Sequence, residues 1–496
     1  MENGKELEKM YEWLQASKYY KLGAKIALEE NNTSKAAELK EKTGFCYYRA
    51  AFQAKTNRQF KDLLKKSIVA YENEFKLLEG VKKQEFQIKT NHVKALVAYV
   101  KSWYELDPTK RRRLLEKWYK NEKQVLIEYE KAGNFFSAGK TCIDLIEFSN
   151  YNRFWLSSNF EDRKKQLKEG MQLAEKAIDI FLRLDDDYEL ARAYCFASWY
   201  YSFADAYWES QERVLEFLKK SECYSIKALE ISQKTGDAWL IGWSYISAWN
   251  SAQFYNQNPS VAIEYGQKAL KFGRSARDRY VMGFGNCLTS SSTTFLTRVI
   301  EDPEKQKENL KDALQKVEDG IKDFQIINHP LGIVTFYAYG QAFTTLASIE
   351  TDPHIKSTII EDFITRIQHA IKTYGKWKFL TSRLFQPLGN CLFLKSETRQ
   401  NCEEKRKLLT DAEFSTKESI NYMEKVLTFN FQFLSRVYFQ LSLIQYELAK
   451  IEKNLLKKVD YLNNAAIAIR KCIHSLEKKK KLYDKSGWTS GFFFGR

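Results

Sequence analysis

The sequence has little proline and glycine and no clustered cysteines, and each scarcity excludes a class of protein. Its 496 residues include only six prolines and 21 glycines, which excludes a low-complexity or collagen-like chain. Aromatic residues make up 15% of the chain, so the composition is not that of a disordered protein. The eight cysteines contain no CxxC pair, which favours buried, reduced thiols and a cytoplasmic protein.

Signatures of catalysis and of cofactor binding are also missing. Gly283 and Gly285 lack the third glycine of a dinucleotide-binding loop, and the five histidines are isolated from one another in sequence. The acidic run 185–187 lacks the spaced oxygen ligands of a calcium loop and is typical of the start of a helix. We therefore expect a protein that is not an enzyme, with no cofactor and no metal.

Two long stretches without charge, 238–263 and 331–349, raise the question of a membrane span. Polar residues interrupt both stretches, so we expect buried helices there and no membrane span. The amino terminus, MENGKELEKMYEW, lacks the apolar core of a signal peptide.

Helical periodicity and helix-start signals extend along the whole chain. Five of the six prolines follow Asp, Asn or His and predict helix starts, as at Asp107-Pro108. Pro387 falls inside a helical pattern and predicts a kink. The sequence from Ser415 to Glu418 has the form of a capping box and predicts a further helix start. The first two helices are predicted at 4–30 and 33–55.

A repeat of 41 to 51 residues is visible from about residue 160. Each copy contains a small residue in a similar context, and these anchors are Ala177, Ala228, Ala269, Gly320, Ala370 and Ser419. Most residues seven places before an anchor are small as well: Gly170, Ser221, Ala262, Ala313, Phe363 and Ala412. Small residues at fixed positions let neighbouring helices approach closely, so the period predicts stacked helical hairpins that contact their nearest neighbours.

The stretch 238–272 resembles a tetratricopeptide unit. The resemblance rests on Trp239, on the region of Gly242 and on the run AIEYGQKALKF, although the Trp-to-Gly spacing is one residue shorter than usual. It implies an all-α, right-handed superhelical solenoid of antiparallel helical hairpins. We divide the chain into degenerate hairpins (1–159), a tetratricopeptide-like array (160–450), a basic helix (451–485) and a non-helical aromatic and glycine-rich tail (486–496).

In tetratricopeptide-like stacks the first helix of each hairpin lines a concave groove, which implies recognition of a peptide or protein segment. The corresponding helices here are uncharged and rich in aromatic and amide side chains, which suit a peptide backbone. The predicted lining residues are Trp243, Asn250, Tyr255, Asn256, Asn286, Ser290, Tyr337 and Gln341.

Lysine and arginine exceed acidic residues by 16, and the excess is uneven. Residues 450–485 have a net charge of +7, from eleven basic and four acidic residues. Four basic residues, 110–113, occupy the first turn of a predicted helix, where the helix dipole disfavours cations. We therefore predict a basic docking patch for an acidic partner, formed by Arg111, Arg112, Arg113, Lys478, Lys479, Lys480 and Lys481.

The function predicted from these features is that of a non-enzymatic scaffold that binds a protein or peptide partner, which could be acidic. One alternative is a sensor or regulatory module of a larger signalling protein whose effector domain is absent from this chain. A second alternative is a helical-repeat nucleic-acid binder, which only the net charge supports. The sequence leaves the oligomeric state open.

Overall fold

The computed structural model describes residues 2–79, 84–157, 159–203, 207–208, 210–255, 258–426 and 431–484. Within these residues the regular structure is helical throughout and no strand occurs. In chain order the helices are α1 (Glu2–Lys9), α2 (Trp13–Glu29), α3 (Thr33–Ala51), α4 (Asn57–Leu78), α5 (Gln84–Tyr104), α6 (Pro108–Lys131), α7 (Phe135–Phe148), α8 (Phe154–Leu156), α9 (Phe160–Leu184), α10 (Asp187–Ser202), α11 (Gln211–Thr235), α12 (Ala238–Asn250), α13 (Pro259–Ser275), α14 (Arg279–Thr297), α15 (Pro303–Ile326), α16 (Leu331–Ile349), α17 (Pro353–Tyr374), α18 (Lys378–Glu397), α19 (Cys402–Val426), α20 (Phe431–Ile451) and α21 (Leu455–Asp484).

Side-chain caps fix most of the helix starts. Asp107 accepts hydrogen bonds from the N–H groups of Thr109 and Lys110, with Pro108 at the first helical position. The same arrangement of a capping residue followed by proline begins α13, α15 and α17, as the sequence predicted. The fifth predicted start also holds, because Pro330 lies directly before α16.

Consecutive helices pack as antiparallel pairs, and the stack is curved. Every second helix from α10 onwards contacts the next helix of the same layer, and this layer consists of α7, α10, α12, α14, α16, α18 and α20. The helices between them make no comparable contacts with one another in the described chain. Helices that lie closer together are on the concave side of a curved stack, so this set forms its inner layer. The outer layer consists of α9, α11, α13, α15, α17, α19 and α21.

The repeat register predicted from the sequence is confirmed. All six anchors, Ala177, Ala228, Ala269, Gly320, Ala370 and Ser419, are buried on outer helices, as are all six residues that precede them by seven places. Gly340 illustrates why the helices need small residues, since a Cβ added there would lie 2.4 Å from Cβ of Pro387 on the adjacent inner helix. The fold is therefore a tetratricopeptide-like solenoid of antiparallel helical hairpins.

Three local predictions were wrong. The helix predicted at 4–30 is interrupted at Tyr11, which has a φ of 58°. The capping box at 415–418 does not start a helix, because α19 continues through it. The hydroxyls of Ser415 and Thr416 instead donate to main-chain oxygens four residues earlier, at 2.9 and 2.8 Å. Of the eight cysteines, Cys223 and Cys402 are exposed rather than buried.

The stack curves so tightly that its second turn packs against its first. Residues of loops and helix ends in the first turn, 52–57 and 105–111, meet loop and helix-end residues of the second turn, 276–279, 325–330 and 376–377. We call this contact the turn seam. It joins residues that are more than 200 positions apart in the sequence.

Hydrogen bonds and rings hold the turn seam together. The Asn57 amide donates to the main-chain oxygen of Ile326 at 2.9 Å and to Oδ1 of Asn328 at 3.1 Å. The main-chain oxygen of Phe52 accepts from the N–H of Arg279 at 3.0 Å. Ion pairs at the rim join Glu12 to Arg277 and Asp107 to Lys376.

No helix in the described part of the chain is long and apolar enough to cross a membrane.

Candidate functional site

Aromatic rings from both turns fill the centre of the stack at the turn seam. The ring of Trp103 from α5 lies 5.7 Å from Tyr280 and 5.2 Å from His329, both of the second turn. His329 Nδ1 accepts the N–H of Leu331 at the start of α16. The neutral ring therefore has its proton on Nε2, which donates to the Tyr280 hydroxyl at 3.0 Å. Burial and the charge of Arg111 lower the pKa of His329 well below its usual value.

Arg111 is fully buried in this seam, which corrects the prediction that it belongs to a surface patch. Its guanidinium donates to Oδ1 of Asn152 at 2.6 Å and to the main-chain oxygen of Asn328 at 3.1 Å. It also lies 5.2 Å from the ring centre of Trp103 and 5.8 Å from that of Trp377. The dipole-disfavoured position on α6 is therefore explained by partners outside that helix, within the same chain.

A small cavity of about 370 Å³, including its open mouth, lies beside the turn seam. Only a small part of that volume is wide enough to hold water, and charged side chains at its edge are already paired, as Arg49 is with Asp278. The cavity is lined by Tyr48, Arg49, Phe52, Tyr99, Glu147, Phe148, Asn152, Phe196, Trp239, Trp243, Asp278 and Tyr280. This part of the concave face is therefore too closely packed to admit a peptide.

The predicted lining residues fall into different environments. Trp243 is buried, with its ring 5.2 Å from Tyr280 in the closed part. Ser290 is fully enclosed and is a core residue, which corrects its assignment to the groove surface. Tyr255 ends a π-helical turn at 251–255. Asn256 lies outside the described residues.

Two predicted amides, Asn250 and Asn286, are nearly buried and have no partner in the described part of the chain. They are 9% and 6% exposed. Buried amides without protein partners are costly, since they lose hydrogen bonds to water. Both belong to inner helices, at the end of α12 and in the middle of α14.

Further along the inner layer, Gln341 belongs to a ladder of amides that crosses four helices. Its Oε1 accepts from Arg298, and its Nε2 donates to Oε1 of Gln386, both at 2.9 Å. Gln386 donates to Oε1 of Gln440 at 3.2 Å, and Gln440 donates to the Thr416 hydroxyl at 3.0 Å. We call this chain of hydrogen bonds, from Arg298 to Thr416, the glutamine ladder.

Arg298 determines the direction of the glutamine ladder. A guanidinium can only donate, so the Gln341 atom that faces it must be the amide oxygen. The Gln341 amide nitrogen must therefore donate to Gln386, and Gln386 must in turn donate to Gln440. This order assigns the oxygen and nitrogen of each amide group from hydrogen-bonding alone. The aligned amide dipoles polarise one another and hold the guanidinium in place.

Arg298 is exposed to solvent at the end of α14. Desolvation by the surrounding protein, together with the Arg436 charge, lowers the pKa of Arg298 to about 10. Among the described residues, Arg298 donates only to the neutral Gln341 amide, and Arg436 forms no ion pair. Arg383 on the neighbouring helix α18 also has a pKa lowered to about 10, chiefly by burial.

The rest of the predicted basic patch is not assembled in one place. Arg112 pairs with Asp162 at 3.2 Å and Arg113 is exposed on α6. Lys478 is exposed on α21; the side chains of 479–481 lie outside the described residues, although their backbone is helical. The aromatic tail, 486–496, is also outside them. The patch therefore remains a prediction for α21 and a correction for Arg111.

The first turn contains buried carboxyl groups. Glu74 on α4 is fully buried with no hydrogen-bond partner for either oxygen among the described residues, and burial raises its pKa to about 10. Nearby, burial opposes protonation of His92, but the Glu122 and Glu41 carboxylates outweigh it and raise the pKa of His92 to about 10. No group of three or more potential ligands within the described chain could hold a metal ion.

Sequence reasoning identified Gln341 but missed the other members of the ladder, Arg298, Gln386 and Gln440. The detectable signal was a glutamine that recurs at spacings of 45 and 54 residues on successive inner helices. The repeat period does not indicate Arg298, because this residue follows the end of α14, whereas the glutamines lie within their helices.

No family model and no curated protein matches the chain. Among solved structures, similarity is found to a Rap protein complexed with Competence and Sporulation Factor, at 14% identity over 84% of this chain and 99% of that one, with a TM-score of 0.42. A STAND signal-transduction ATPase with a tetratricopeptide repeat sensor, from Pyrococcus horikoshii, is 14% identical over 85% of this chain and 55% of that one, with a TM-score of 0.46. A circular tandem repeat protein is 14% identical over 96% of this chain and 98% of that one, with a TM-score of 0.21.

Proposed function

We propose that this chain is a non-enzymatic cytoplasmic module that binds a peptide or protein segment on the inner face of its second turn. The binding surface runs across α14, α16, α18 and α20, where the turn seam does not cover the inner layer. The observation that carries this proposal is the set of polar groups on that face whose hydrogen-bonding or charge is not satisfied within the described chain.

An extended peptide needs rigid surface and polar groups that can pair with its main chain. The glutamine ladder is rigid, because each amide is fixed by the next. Asn286 supplies an amide that has no partner among the described residues. A purely structural inner layer would be built more simply from aliphatic side chains, which need no partners.

The test is a selection of random peptides displayed on phage, with the full chain as bait. Selected peptides are then synthesised, and their affinities are measured for the wild type and for Gln341→Trp, which fills the concave face. Tyr337→Ala is a milder second variant, in case the tryptophan disturbs folding. Lys305→Ala with Lys311→Ala, two exposed positions on the outer helix α15, is the control.

We expect selected peptides to lose most of their affinity for Gln341→Trp and to keep it for the outer control, with thermal midpoints unchanged in the control. Peptides that bind Gln341→Trp and Tyr337→Ala as tightly as the wild type would place the surface elsewhere. A selection that enriches no peptide would also overturn the proposal.

A further inference from the structure

The last two described helices, α20 and α21, form a hairpin with one uncovered side. Elsewhere in the stack an outer helix packs on the inner helix of its own hairpin and on the next inner helix, as α19 does on α18 and α20. Within the described chain, α21 packs extensively only on α20. The side of this hairpin that would meet a next inner helix is therefore covered by no described helix.

The glutamine ladder identifies the residues of α20 that face this side, because it places its three glutamines at equivalent positions of α16, α18 and α20. The residue before the glutamine on α16 is Gly340, where an added Cβ would lie 2.4 Å from Cβ of Pro387 on α18. The residue three places after the glutamine on α18 is Gly389, where an added Cβ would lie 2.7 Å from Nε2 of Gln440 on α20. Residues one before, three after and six after the glutamine share one side of the helix, so this side faces the next inner helix.

That side is covered on the earlier inner helices and exposed on α20. On α16 and α18 its residues are buried or half-buried, and they are Gly340, Thr344, Ala347, Phe385, Gly389 and Leu392. On α20 the equivalent residues are Phe439, Leu443 and Tyr446, which are 49%, 38% and 48% exposed. Three large apolar side chains therefore face solvent at positions where α16 and α18 face a neighbouring helix.

Helix α21 is apolar on the corresponding side as well. On α19, Glu413 and Glu424 accept hydrogen bonds from side chains of α20 and so mark the side that faces the next inner helix. The last two repeat anchors are 49 residues apart, and the buried Ala468 of α21 continues that spacing. The same spacing relates the two glutamates of α19 to Leu462 and Ile473 of α21, both of which are exposed.

Leu462 and Ile473 belong to a stripe with the spacing of a helix–helix seam. Its residues recur at intervals of four and three, and they are Leu455, Val459, Leu462, Ala466, Ile469, Ile473 and Leu476. All but Ile469 and Leu476, which are half-buried, are exposed. An apolar repeat of this kind packs against a second helix whose side chains recur with the same period. We call this stripe, together with Phe439, Leu443 and Tyr446 of α20, the open groove.

The charges near the open groove are mostly positive. The exposed charged residues of α21 include Lys453, Lys457, Arg470, Lys471 and Lys478, against Asp460 and Glu477. The whole segment 450–485 has a net charge of +7. Two copies of this groove would therefore repel each other, whereas acidic residues on a partner would be attracted.

We infer that the open groove is a docking site for an amphipathic helix of a partner protein, with aliphatic residues along one face and acidic residues beside them. The helix would take the position that the next inner helix occupies elsewhere in the stack. This surface takes a different ligand from the concave face and does not depend on the proposed function.

The experiment uses the full chain and a fluorescent helical peptide of three heptads, with leucine at the two core positions of each heptad and glutamate at the flanking positions. Anisotropy is read at concentrations where the peptide alone is monomeric. We expect the peptide to bind, and Leu462→Ser with Ile473→Ser to weaken binding about 10-fold or more, because both side chains lose apolar burial. Phe439→Ser should weaken it as well, since the groove includes α20. A peptide with lysine at the flanking positions should bind more weakly.

The matched control is Leu182→Ser with Ile226→Ser, two exposed aliphatic side chains on the outer helices α9 and α11. Because all four serine positions on α9, α11 and α21 are exposed, thermal midpoints should change little in either double variant. An equal loss of binding in the control would assign the peptide to apolar surface in general and overturn the site. So would a lysine-flanked peptide that binds as tightly as the glutamate-flanked one.

Other occupants of the open groove give different results. If a chain that ends at Lys485 binds the peptide far more tightly than the full chain, the aromatic tail is the occupant and the inference falls. It also falls if sedimentation shows a dimer of the full chain that Leu462→Ser with Ile473→Ser dissociates. Gln341→Trp on the concave face should leave peptide binding unchanged, and a loss equal to that of Phe439→Ser would move the peptide to the concave face and overturn the inference.

Discussion

Arg111 in the turn seam and Arg298 on the open concave face both have a pKa lowered to about 10, chiefly by burial, yet their surroundings differ. Arg111 donates to oxygens of Asn152 and Asn328 and lies 5.2 and 5.8 Å from the ring centres of Trp103 and Trp377. Arg298 is exposed and donates to the Gln341 amide. The fold satisfies the two terminal nitrogens of the Arg111 guanidinium, although its Nε is buried without a partner among the described residues, whereas Arg298 has a single neutral partner.

Glu74 adds a third way to handle a buried charge. It has no partner among the described residues either, but a carboxyl group can bind a proton, and its raised pKa keeps it neutral at pH 7. An arginine cannot become neutral in this way, because its guanidinium stays charged at pH 7. The three groups therefore show a buried guanidinium bonded by the fold, a buried carboxyl neutralised by a proton and an exposed guanidinium with one neutral partner.

The largest expected effect is at the turn seam. Arg111→Met should lower the free energy of unfolding by about 3–5 kcal/mol, because it leaves the oxygens of Asn152 and Asn328 buried without a donor. Arg298→Met, the same change on the open face, should cost less than about 1 kcal/mol. Urea unfolding of both variants measures the difference, and equal losses would remove the distinction between the two sites.

Glu74→Gln should raise stability above acidic pH. The folded pKa of about 10 lies above the unfolded value, so the stability contributed by protonated Glu74 is complete below about pH 4.5 and is lost as the pH rises towards 10. The loss is at most about 1.4 kcal/mol per pH unit, and the amide should abolish it. Thermal midpoints from pH 4 to 9 measure this. Glu72→Gln, an exposed neighbour on α4, is the control. A stability difference between the wild type and Glu74→Gln that is the same at pH 5 and pH 8 would refute the assignment.

The smallest effect expected concerns the glutamine ladder. Gln386→Leu should cost about 1–3 kcal/mol, because Gln341 and Gln440 each lose a partner, while Gln368→Leu, exposed on α17, should cost little. Arg298 does not hydrogen-bond Gln386 directly, so a double-mutant cycle of Gln386→Leu with Arg298→Met tests whether the ladder transmits its restraint. A coupling energy near zero would mean that the amides act as separate pairs.

The outer half of the fold could be predicted from the sequence because its determinants are local. Ala177, Ala228 and Ala269 occupy the same turn of successive outer helices, and their spacing alone reveals that they face a partner. Helix starts at Pro259 and Pro303 depend on a residue and its neighbour. The false start at 415–418 marks the limit of such reasoning, since a serine or threonine hydroxyl can bond to its own helix as well as cap one.

The turn seam and the ladder could not be predicted, because their partners are distant. The sequence indicated only that Arg111 stood at the wrong end of its helix dipole, and nothing nearby pointed to Asn328. The close packing of the concave face around Trp243 could not be predicted either, since it depends on the summed rotation of many hairpins. Gln341 was found because its own helix lacked charge, whereas Arg298 follows the end of α14.

The turn seam also sets an order of events during synthesis. Its partners are separated by 217 residues for Arg111 and Asn328 and by 271 for Asn57 and Asn328, so the stack is not held by nearest neighbours alone. A ribosome adding about 5–20 residues per second needs on the order of 10–40 s to make the second side after the first has emerged. For that interval Phe52 and Trp103 lack their covering rings, and the nascent chain presents an aromatic edge to the chaperones that meet it.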